Sequence, residues 1–162
     1  MSNIVVAQIL GFFALFFGVS GFLNRDEKKL KILLIVQSVF LVPHFILLNA
    51  NTGAVMSIVT IIRNYLSLNS KFNKLWILFV ILYLVSGIYK YQRPIDILPI
   101  FASVLGTYAF FKLDNLKLRT SLLFCTLSWL FHNIYVGSLG PSIMEAMIFS
   151  SNLRTIIKIR KS

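Results

Sequence analysis

Two apolar stretches of this sequence, LVPHFILLN at residues 41–49 and WLFHNIYVG at residues 129–137, each carry a single histidine. His44 and His132 are the only histidines in the chain. A polar ring inside an apolar run is expensive to place in hydrocarbon, so it needs a partner or a function. The matched placement of the two rings, 88 residues apart, predicts that the chain contains a repeated unit.

The similarity extends well beyond the histidines. A shift of 88 residues aligns residues 7–66 with residues 95–154 without gaps, and 14 of these 60 positions then carry the same residue. Chance gives about five identities for this composition, because leucine and isoleucine recur so often. The shared polar residues, which include Asn64 and Asn152, carry more weight than shared leucines. The sequence therefore predicts an internal duplication.

The composition is that of an integral membrane protein. Hydrophobic residues make up 57% of the chain, charged residues make up 13%, and the mean hydropathy is +0.82. Charges gather in short connections between apolar runs, most of which are long enough to cross a hydrocarbon core of ~30 Å. The single cysteine, Cys125, lies inside such a run and provides no disulfide framework. These features exclude an ordinary soluble domain and indicate several membrane spans.

Seven spans are predicted, and all should be helical because an open sheet edge in lipid leaves backbone groups unsatisfied. The spans are 4–23, 32–50, 53–68, 75–89, 95–111, 120–136 and 141–157. The predicted domains are a first triple-helix repeat at 4–68, a linker helix at 75–90, and a second triple-helix repeat at 95–157. A single linker span gives both triplets the same orientation, so the repeats are parallel.

The charge distribution predicts the orientation. The net charge is +11, but no basic stripe is interleaved with aromatic residues outside the apolar runs, so we predict no nucleic-acid partner. With the N-terminus outside, 14 of the 16 basic residues fall on the inner side, and only Lys90 and Arg93 fall outside. The positive-inside rule therefore favours an outer N-terminus and an inner C-terminus.

Three segments resemble a known family: HFILLNANTGAVMSIVTIIRN at 44–64, DILPIFASVLGTYAFF at 96–111, and LSWLFHNIYVGSLGPSIMEAMIFSSNLRTIIKIR at 127–160. They are similar to the bacterial YgjV-type inner-membrane proteins, a family related to the SWEET and PQ-loop transporters. The resemblance covers nearly the whole chain. It implies two triple-helix bundles around a central site, and it implies no particular substrate.

By this resemblance, Asn64 and Asn152 fall where SWEET-like proteins place a pocket asparagine on the third helix of each repeat. Trp129 falls near a pocket aromatic that stacks on the substrate. The resemblance is incomplete here, because the first repeat has Leu41 at the position equivalent to Trp129.

Helical spacing independently groups these residues on single helix faces, because residues at i, i+4 and i+7 share one side of a helix. Polar residues on these faces should look into the bundle, since lipid disfavours them. We predict four substrate-binding residues, Gln37, Asn64, Trp129 and Asn152. We predict an outer gate made of His44, His132 and Glu145, in which the carboxylate pairs with at least one histidine ring.

Structural interpretations of the same residues stay open. Intramembrane asparagine and histidine often hydrogen-bond neighbouring helices, with about 0.6 kcal/mol per bond on average. Trp129 also fits ordinary packing, and Arg63 is expected to extend its side chain to the inner membrane surface.

No phosphate loop, metal-ligand cluster or serine nucleophile motif occurs in the sequence, so we predict no enzyme, no metal and no cofactor. The predicted function is transport or facilitated passage of a small polar, mostly uncharged solute across a bacterial inner membrane. A sugar, a nucleoside or an amino-acid-like metabolite fits an asparagine pair with aromatic neighbours. The alternative is a non-transporting scaffold or partner subunit. The expected partners are the lipid bilayer and the solute, and a homo-oligomer is compatible with the sequence.

Overall fold

The computed structural model describes residues 2–23, 27–69, 74–113 and 115–161. Within these ranges all regular structure is helical, as the sequence predicts. The seven α-helices are α1 Asn3–Leu23, α2 Glu27–Leu47, α3 Asn51–Leu66, α4 Trp76–Tyr89, α5 Ile97–Lys112, α6 Asn115–Tyr135 and α7 Leu139–Lys161, with a 3-10 turn at Pro94–Asp96.

Three helices are longer than the predicted spans at their basic ends. α2 begins at Glu27 and α6 begins at Asn115, within segments predicted as connections, and α7 continues to Lys161. Lysine and arginine are good helix formers, so a basic connection next to an apolar helix continues that helix. We call this end of the molecule, where Lys28, Lys112 and the start of α6 lie, the basic end.

By length and hydropathy alone, two stretches of the described chain could cross a membrane, Asn3–Gly21 and Pro94–Lys112. Lys31–Leu47 and Trp76–Tyr89 are apolar but shorter. A buried core helix or an N-terminal signal sequence passes the same test, so these two stretches are weak evidence by themselves.

The distribution of polarity gives stronger evidence. Large apolar side chains are exposed on the outside of the bundle; Phe16, Val85, Ile88 and Ile134, for example, are 61–70% exposed. Among the described residues the interior holds nearly as many buried polar side chains as apolar ones. An apolar outside around a partly polar inside is typical of a protein surrounded by lipid.

The helices pack as two groups of three. α2 packs between α1 and α3, and α6 packs between α5 and α7. The groups meet along two seams: α1 against α7, and α3 against α5. α4 packs on both α3 and α5, where its buried Phe79 and Tyr83 join Met56, Val59 and Ile100 in one cluster.

The turns after α2 and α6 have the same geometry. Asn49 and Gly137, 88 residues apart, both adopt the left-handed conformation, with φ of 55° and 74°. The next amide donates back to the preceding helix in each case, from Ala50 to the Phe45 carbonyl and from Ser138 to the carbonyl of residue 133, both at 2.8 Å. This Schellman-type ending favours asparagine or glycine at the left-handed position.

Candidate functional site

A cavity of about 420 Å³ lies between the two helix groups. Its described lining residues come from every helix except α4. All four residues predicted to bind substrate line it, Gln37, Asn64, Trp129 and Asn152, and so does Glu145. The volume is within the range of ~300–1,000 Å³ that is usual for small-molecule sites. The two histidines are not among its lining residues.

Asn64 is buried at the wall of the cavity, two residues before α3 ends at Leu66. Its Oδ1 accepts from two nitrogens of Arg63, at 3.1 and 3.3 Å. Its Nδ2 has no hydrogen-bond partner. A buried amide donor without a partner costs about 1–3 kcal/mol, so Asn64 is available to a ligand in the cavity.

The side chain of Arg63 packs towards α4 and α5. Its Nη1 donates to Thr107 Oγ1 on α5 at 3.1 Å, and its guanidinium lies about 6 Å from the ring centroids of Tyr83 and Phe110. Aromatic rings and hydroxyls on α4 and α5 give the guanidinium inward partners, which the sequence of α3 alone does not reveal. Arg63 therefore lines the cavity and crosses the α3–α5 seam.

Asn152, at the equivalent position on α7, is differently engaged. Its Nδ2 donates to the backbone carbonyl of Arg119 at 2.8 Å, and its Oδ1 lies 3.5 Å from Arg119 Nη1. Both polar atoms of this amide therefore have partners on α6. Asn152 behaves as an interhelical link, whereas Asn64 keeps a free donor.

Two further amides present free acceptors at the cavity wall. Gln37 Oε1 and Asn133 Oδ1 are buried and have no hydrogen-bond partner. Asn133 was not predicted as a site residue, because its counterpart in the first repeat is Phe45 and no repeated polar position marks it. The cavity wall thus carries one free donor and two free acceptors on nearly fully buried side chains.

Trp129 closes one side of the cavity with aromatic neighbours. Its ring stacks on Phe45 at 6.0 Å and meets the His132 ring edge-on at 5.8 Å. The indole therefore packs between α2 and α6 and also faces the cavity. The packing interpretation and the pocket interpretation both describe part of its environment.

His44 is fully buried and bonded at both ring nitrogens. Nδ1 lies 2.6 Å from the Ala7 carbonyl on α1, and Nε2 lies 2.7 Å from Ser138 Oγ in the turn before α7. A carbonyl can only accept, so Nδ1 carries the hydrogen and Nε2 of the neutral ring accepts from the serine. His44 therefore ties three segments together across the α1–α7 seam.

His132 is equally buried, but neither of its ring nitrogens has a hydrogen-bond partner. The nearest acid is Asp96, whose Oδ1 lies 3.8 Å from His132 Nε2. Asp96 is itself buried, and its Oδ2 accepts from the backbone amides of Gln92 and Arg93 at 3.0 Å. The carboxylate therefore caps the turn before α5 and presents its second oxygen to the histidine.

The structure shows no hydrogen bond or ion pair between Glu145 and either histidine, the pairing predicted for the outer gate. Among the described residues Glu145 makes no hydrogen bond or ion pair, while His44 is bonded to Ala7 and Ser138 and His132 lies against Asp96. Glu145 shares a depth with the histidines along the chain, but it faces the cavity instead. Depth alone does not determine the direction of a side chain. Asp96 and Arg119 were not predicted as site residues because they lie at the ends of predicted spans, and Arg63 was assigned to the inner membrane surface.

The described residues contain no group of three or more histidine, cysteine, aspartate or glutamate side chains that could hold a metal ion. The polar atoms at the cavity are mainly amide and guanidinium groups, which suit an organic solute better than a metal.

Comparison with known proteins agrees with these features. The family Imp-YgjV, described as bacterial inner membrane protein, matches residues 5–162. The chain is 31% identical over 155 residues to the inner membrane protein YgjV of Escherichia coli strain K12, covering 94% of this chain and 84% of that protein. No solved structure matches the chain. The helical bundle with its apolar outer surface fits a multi-pass location in the bacterial inner membrane, and the chain belongs to the YgjV family of bacterial inner membrane proteins.

Proposed function

We propose that this protein transports, or facilitates the passage of, a small polar and mostly uncharged solute through the cavity between its two helix groups. One observation carries the proposal: three residues that line this cavity, Gln37, Asn64 and Asn133, each carry a buried polar atom without a hydrogen-bond partner, Oε1, Nδ2 and Oδ1 respectively. Each would cost about 1–3 kcal/mol if nothing satisfied it, so a ligand that bonds to all three recovers that free energy.

The proposed architecture is a SWEET-like pair of parallel triplets joined by α4. The 88-residue sequence offset supports it, and so do the matching turns at Asn49 and Gly137. The seam of α1 with α7 corresponds to the seam of α5 with α3 when the triplets are exchanged. A site at the boundary of two such units can open alternately to the two sides if the units rock against each other.

In this arrangement the cavity is closed at the outer end. A layer of five buried residues closes it there. Each is at most 1% exposed: His44, Phe45, Asp96, His132 and Ser138. The cavity lining extends in the other direction to Leu23, Arg63 and Arg119 near the basic end. If basic segments face the cytoplasm, the structure corresponds to a state whose outer entrance is shut.

Topology can be tested directly. All seven helices are proposed to span the membrane, with the N-terminus outside and the C-terminus inside. A reporter that is active only in the periplasm, fused after Ser162, should therefore stay inactive, while a cytoplasm-active reporter at the same position should work. The reverse result would contradict the seven-span proposal.

Transport is tested with purified protein in proteoliposomes. A panel of sugars, nucleosides and amino-acid-like metabolites is first screened for solutes that raise the Tm, and those solutes are then used for counterflow. Asn64→Ala should remove the Tm increase and the exchange while folded yield stays close to normal, because its Nδ2 has no partner in the protein and Arg63, which donates to its Oδ1, keeps its bond to Thr107. Asn152→Ala should mainly lower stability, because its amide bonds α6.

The alternative is a non-transporting scaffold or partner subunit. The Asn152–Arg119 link favours it, since there an intramembrane amide is used purely to join helices. A screen in which no solute of any class changes the Tm or exchanges across vesicles would favour the scaffold.

A further inference from the structure

The cavity is lined by three ionisable side chains, Arg63, Arg119 and Glu145. Among the described residues none of the three is paired with an opposite charge. Arg63 donates to the neutral groups of Asn64 and Thr107, and Arg119 approaches the amide of Asn152. Partly buried charges without counter-charges are costly, and a ligand can compensate them.

The positive and negative groups lie at different levels. Glu145 precedes Asn152 by seven residues on α7, which corresponds to roughly 10 Å along the helix. Arg119 lies against Asn152, and Arg63 lies against Asn64 at the equivalent place on α3. Both guanidinium groups are therefore at the asparagine level, and the carboxyl group is further from the basic end.

The unpartnered donor and acceptor atoms of the amides are distributed in the same way as the ionisable groups. A Cβ placed on Gly18 would meet both Met144 and Gln37 Oε1, so Gln37 lies at the depth of residue 144 and hence of Glu145. The unpartnered acceptor of Gln37 is thus at about the same depth as Glu145, and the unpartnered donor Asn64 Nδ2 is beside Arg63. One end of the cavity accepts hydrogen bonds and the other end donates them.

Simple solutes match only part of this arrangement. An uncharged sugar leaves all three charges uncompensated. An inorganic anion leaves Glu145 without a partner, and a plain amine leaves both arginines without one. A solute with an ammonium group at one end and a carboxylate at the other matches both levels and remains neutral overall.

We propose that the solute is a zwitterionic amino acid or short amino-acid-like compound, bound with its ammonium group at Glu145 and Gln37 and its carboxylate at Arg63 and Asn64. This inference rests on the proposed transport function and narrows its substrate class. The aromatic face of Trp129 and the apolar wall at Leu41 and Met144 would contact the rest of the solute.

The test uses the full-length protein in detergent and measures binding from ligand-dependent thermal shifts. The panel contains the standard amino acids and straight-chain ω-amino acids, each with its N-acetyl and carboxamide derivatives, together with glucose and uridine. At least one zwitterion should bind, and both of its blocked derivatives should bind about 10- to 100-fold more weakly, as expected when a charge-assisted hydrogen bond is lost.

Glu145→Gln keeps the shape of the side chain and removes its charge. It should weaken binding of the zwitterion about 10- to 100-fold and leave the affinity of the N-acetyl derivative within about twofold. Ser57→Ala is the matched control, because Ser57 lines the same cavity at the repeat position of Glu145 and its hydroxyl is already bonded to Gly53. Ser57→Ala should leave both affinities unchanged.

The outcomes separate the two proposals. Binding of glucose or uridine without any amino acid would overturn the zwitterion and leave transport standing. Equal binding of a zwitterion and its blocked derivatives, or an unchanged affinity in a folded Glu145→Gln protein, would also overturn it. Absence of any ligand and of any counterflow would overturn the transport proposal as well.

Discussion

Each of the two seams between the helix groups contains one buried histidine. The two rings differ in their hydrogen bonding. At the α1–α7 seam, His44 is bonded through both ring nitrogens, to Ala7 and to Ser138. At the α3–α5 seam, His132 has no hydrogen-bond partner and lies 3.8 Å from Asp96. Both rings are fully buried at positions 88 residues apart. The position of the ring is repeated in the sequence, and its partners are not.

The two seams also differ in how closely the helix backbones approach each other. Gly11 on α1 and Gly140 on α7 come so close that a Cβ on Gly140 would overlap the Gly11 carbonyl. At the α3–α5 seam α4 packs on both helices, and its Tyr83 hydroxyl bonds to Thr60 Oγ1 at 2.8 Å. One seam is therefore a direct backbone contact, and the other is filled by side chains. Where two backbones touch, the polar groups beside them are held against fixed partners. Where side chains fill the space between two helices, a polar group can be left without a partner.

The largest expected effect tests this backbone contact. Gly140→Ala should destabilise the protein by about 3 kcal/mol or more, because the new methyl group meets backbone that cannot move aside easily. Gly106→Ala is the control, since its Cβ would meet only Cys125 Sγ at an ordinary 3.6 Å. It should change the free energy of unfolding by no more than about 1 kcal/mol. Denaturant titration in one detergent gives both values, and equal effects would refute the direct backbone contact at the α1–α7 seam.

The second-largest expected effects on stability come from replacing the two histidines. His44→Phe removes two hydrogen bonds and leaves the buried Ser138 hydroxyl without its ring partner, so we expect a loss of about 2–4 kcal/mol. His132→Phe removes no hydrogen bond, and we expect a change within about 1 kcal/mol in either direction. The same titration measures both variants. A larger loss of unfolding free energy for His132→Phe than for His44→Phe would contradict this difference in hydrogen bonding.

The sequence predicts the helices and the cavity-lining residues well and the partners of individual side chains poorly. Hydropathy gives the helices, and the i, i+4, i+7 rule correctly brings Gln37, Asn64, Trp129 and Asn152 to one cavity. These properties depend only on the helix that carries the residue. The partner of a side chain depends on the neighbouring helix, which explains why Glu145 has no bond to either histidine and why Arg63 is found turned inward.

Asp96 illustrates the same limit. Its repeat counterpart is Gln8, so an 88-residue comparison shows two different polar residues and no conserved chemistry. In the structure both residues bind backbone next to a turn. Gln8 donates to the Gly137 carbonyl at 2.6 Å and accepts from the Leu139 amide at 3.0 Å. Only the structure shows that Gln8 binds a turn across the α1–α7 seam, whereas Asp96 binds the amides of its own turn.

The smallest effects come from exchanging the chemistry of these two caps. Asp96→Asn retains an oxygen for the amides of Gln92 and Arg93 and places an NH₂ group towards His132 Nε2, which can then accept a hydrogen bond. We expect a neutral change or a gain of up to about 1 kcal/mol. Gln8→Glu retains the acceptor for Leu139 but sets a second oxygen against the Gly137 carbonyl. Because a carboxylate cannot donate there, we expect a loss of about 1 kcal/mol, moderated by solvent exposure.

These opposite signs test the difference between the seams most sharply. Both substitutions interchange an amide and a carboxylate, so side-chain volume hardly changes and packing cannot account for the result. If the α3–α5 seam lacks a donor at His132 and the α1–α7 seam is already satisfied, only the first site gains from an NH₂ group. Thermal unfolding of both variants and the double variant measures this, and the double variant should show additive changes, since the sites share no partner. A loss for Asp96→Asn similar to that for Gln8→Glu would mean that the carboxylate charge itself stabilises the outer end beside His132.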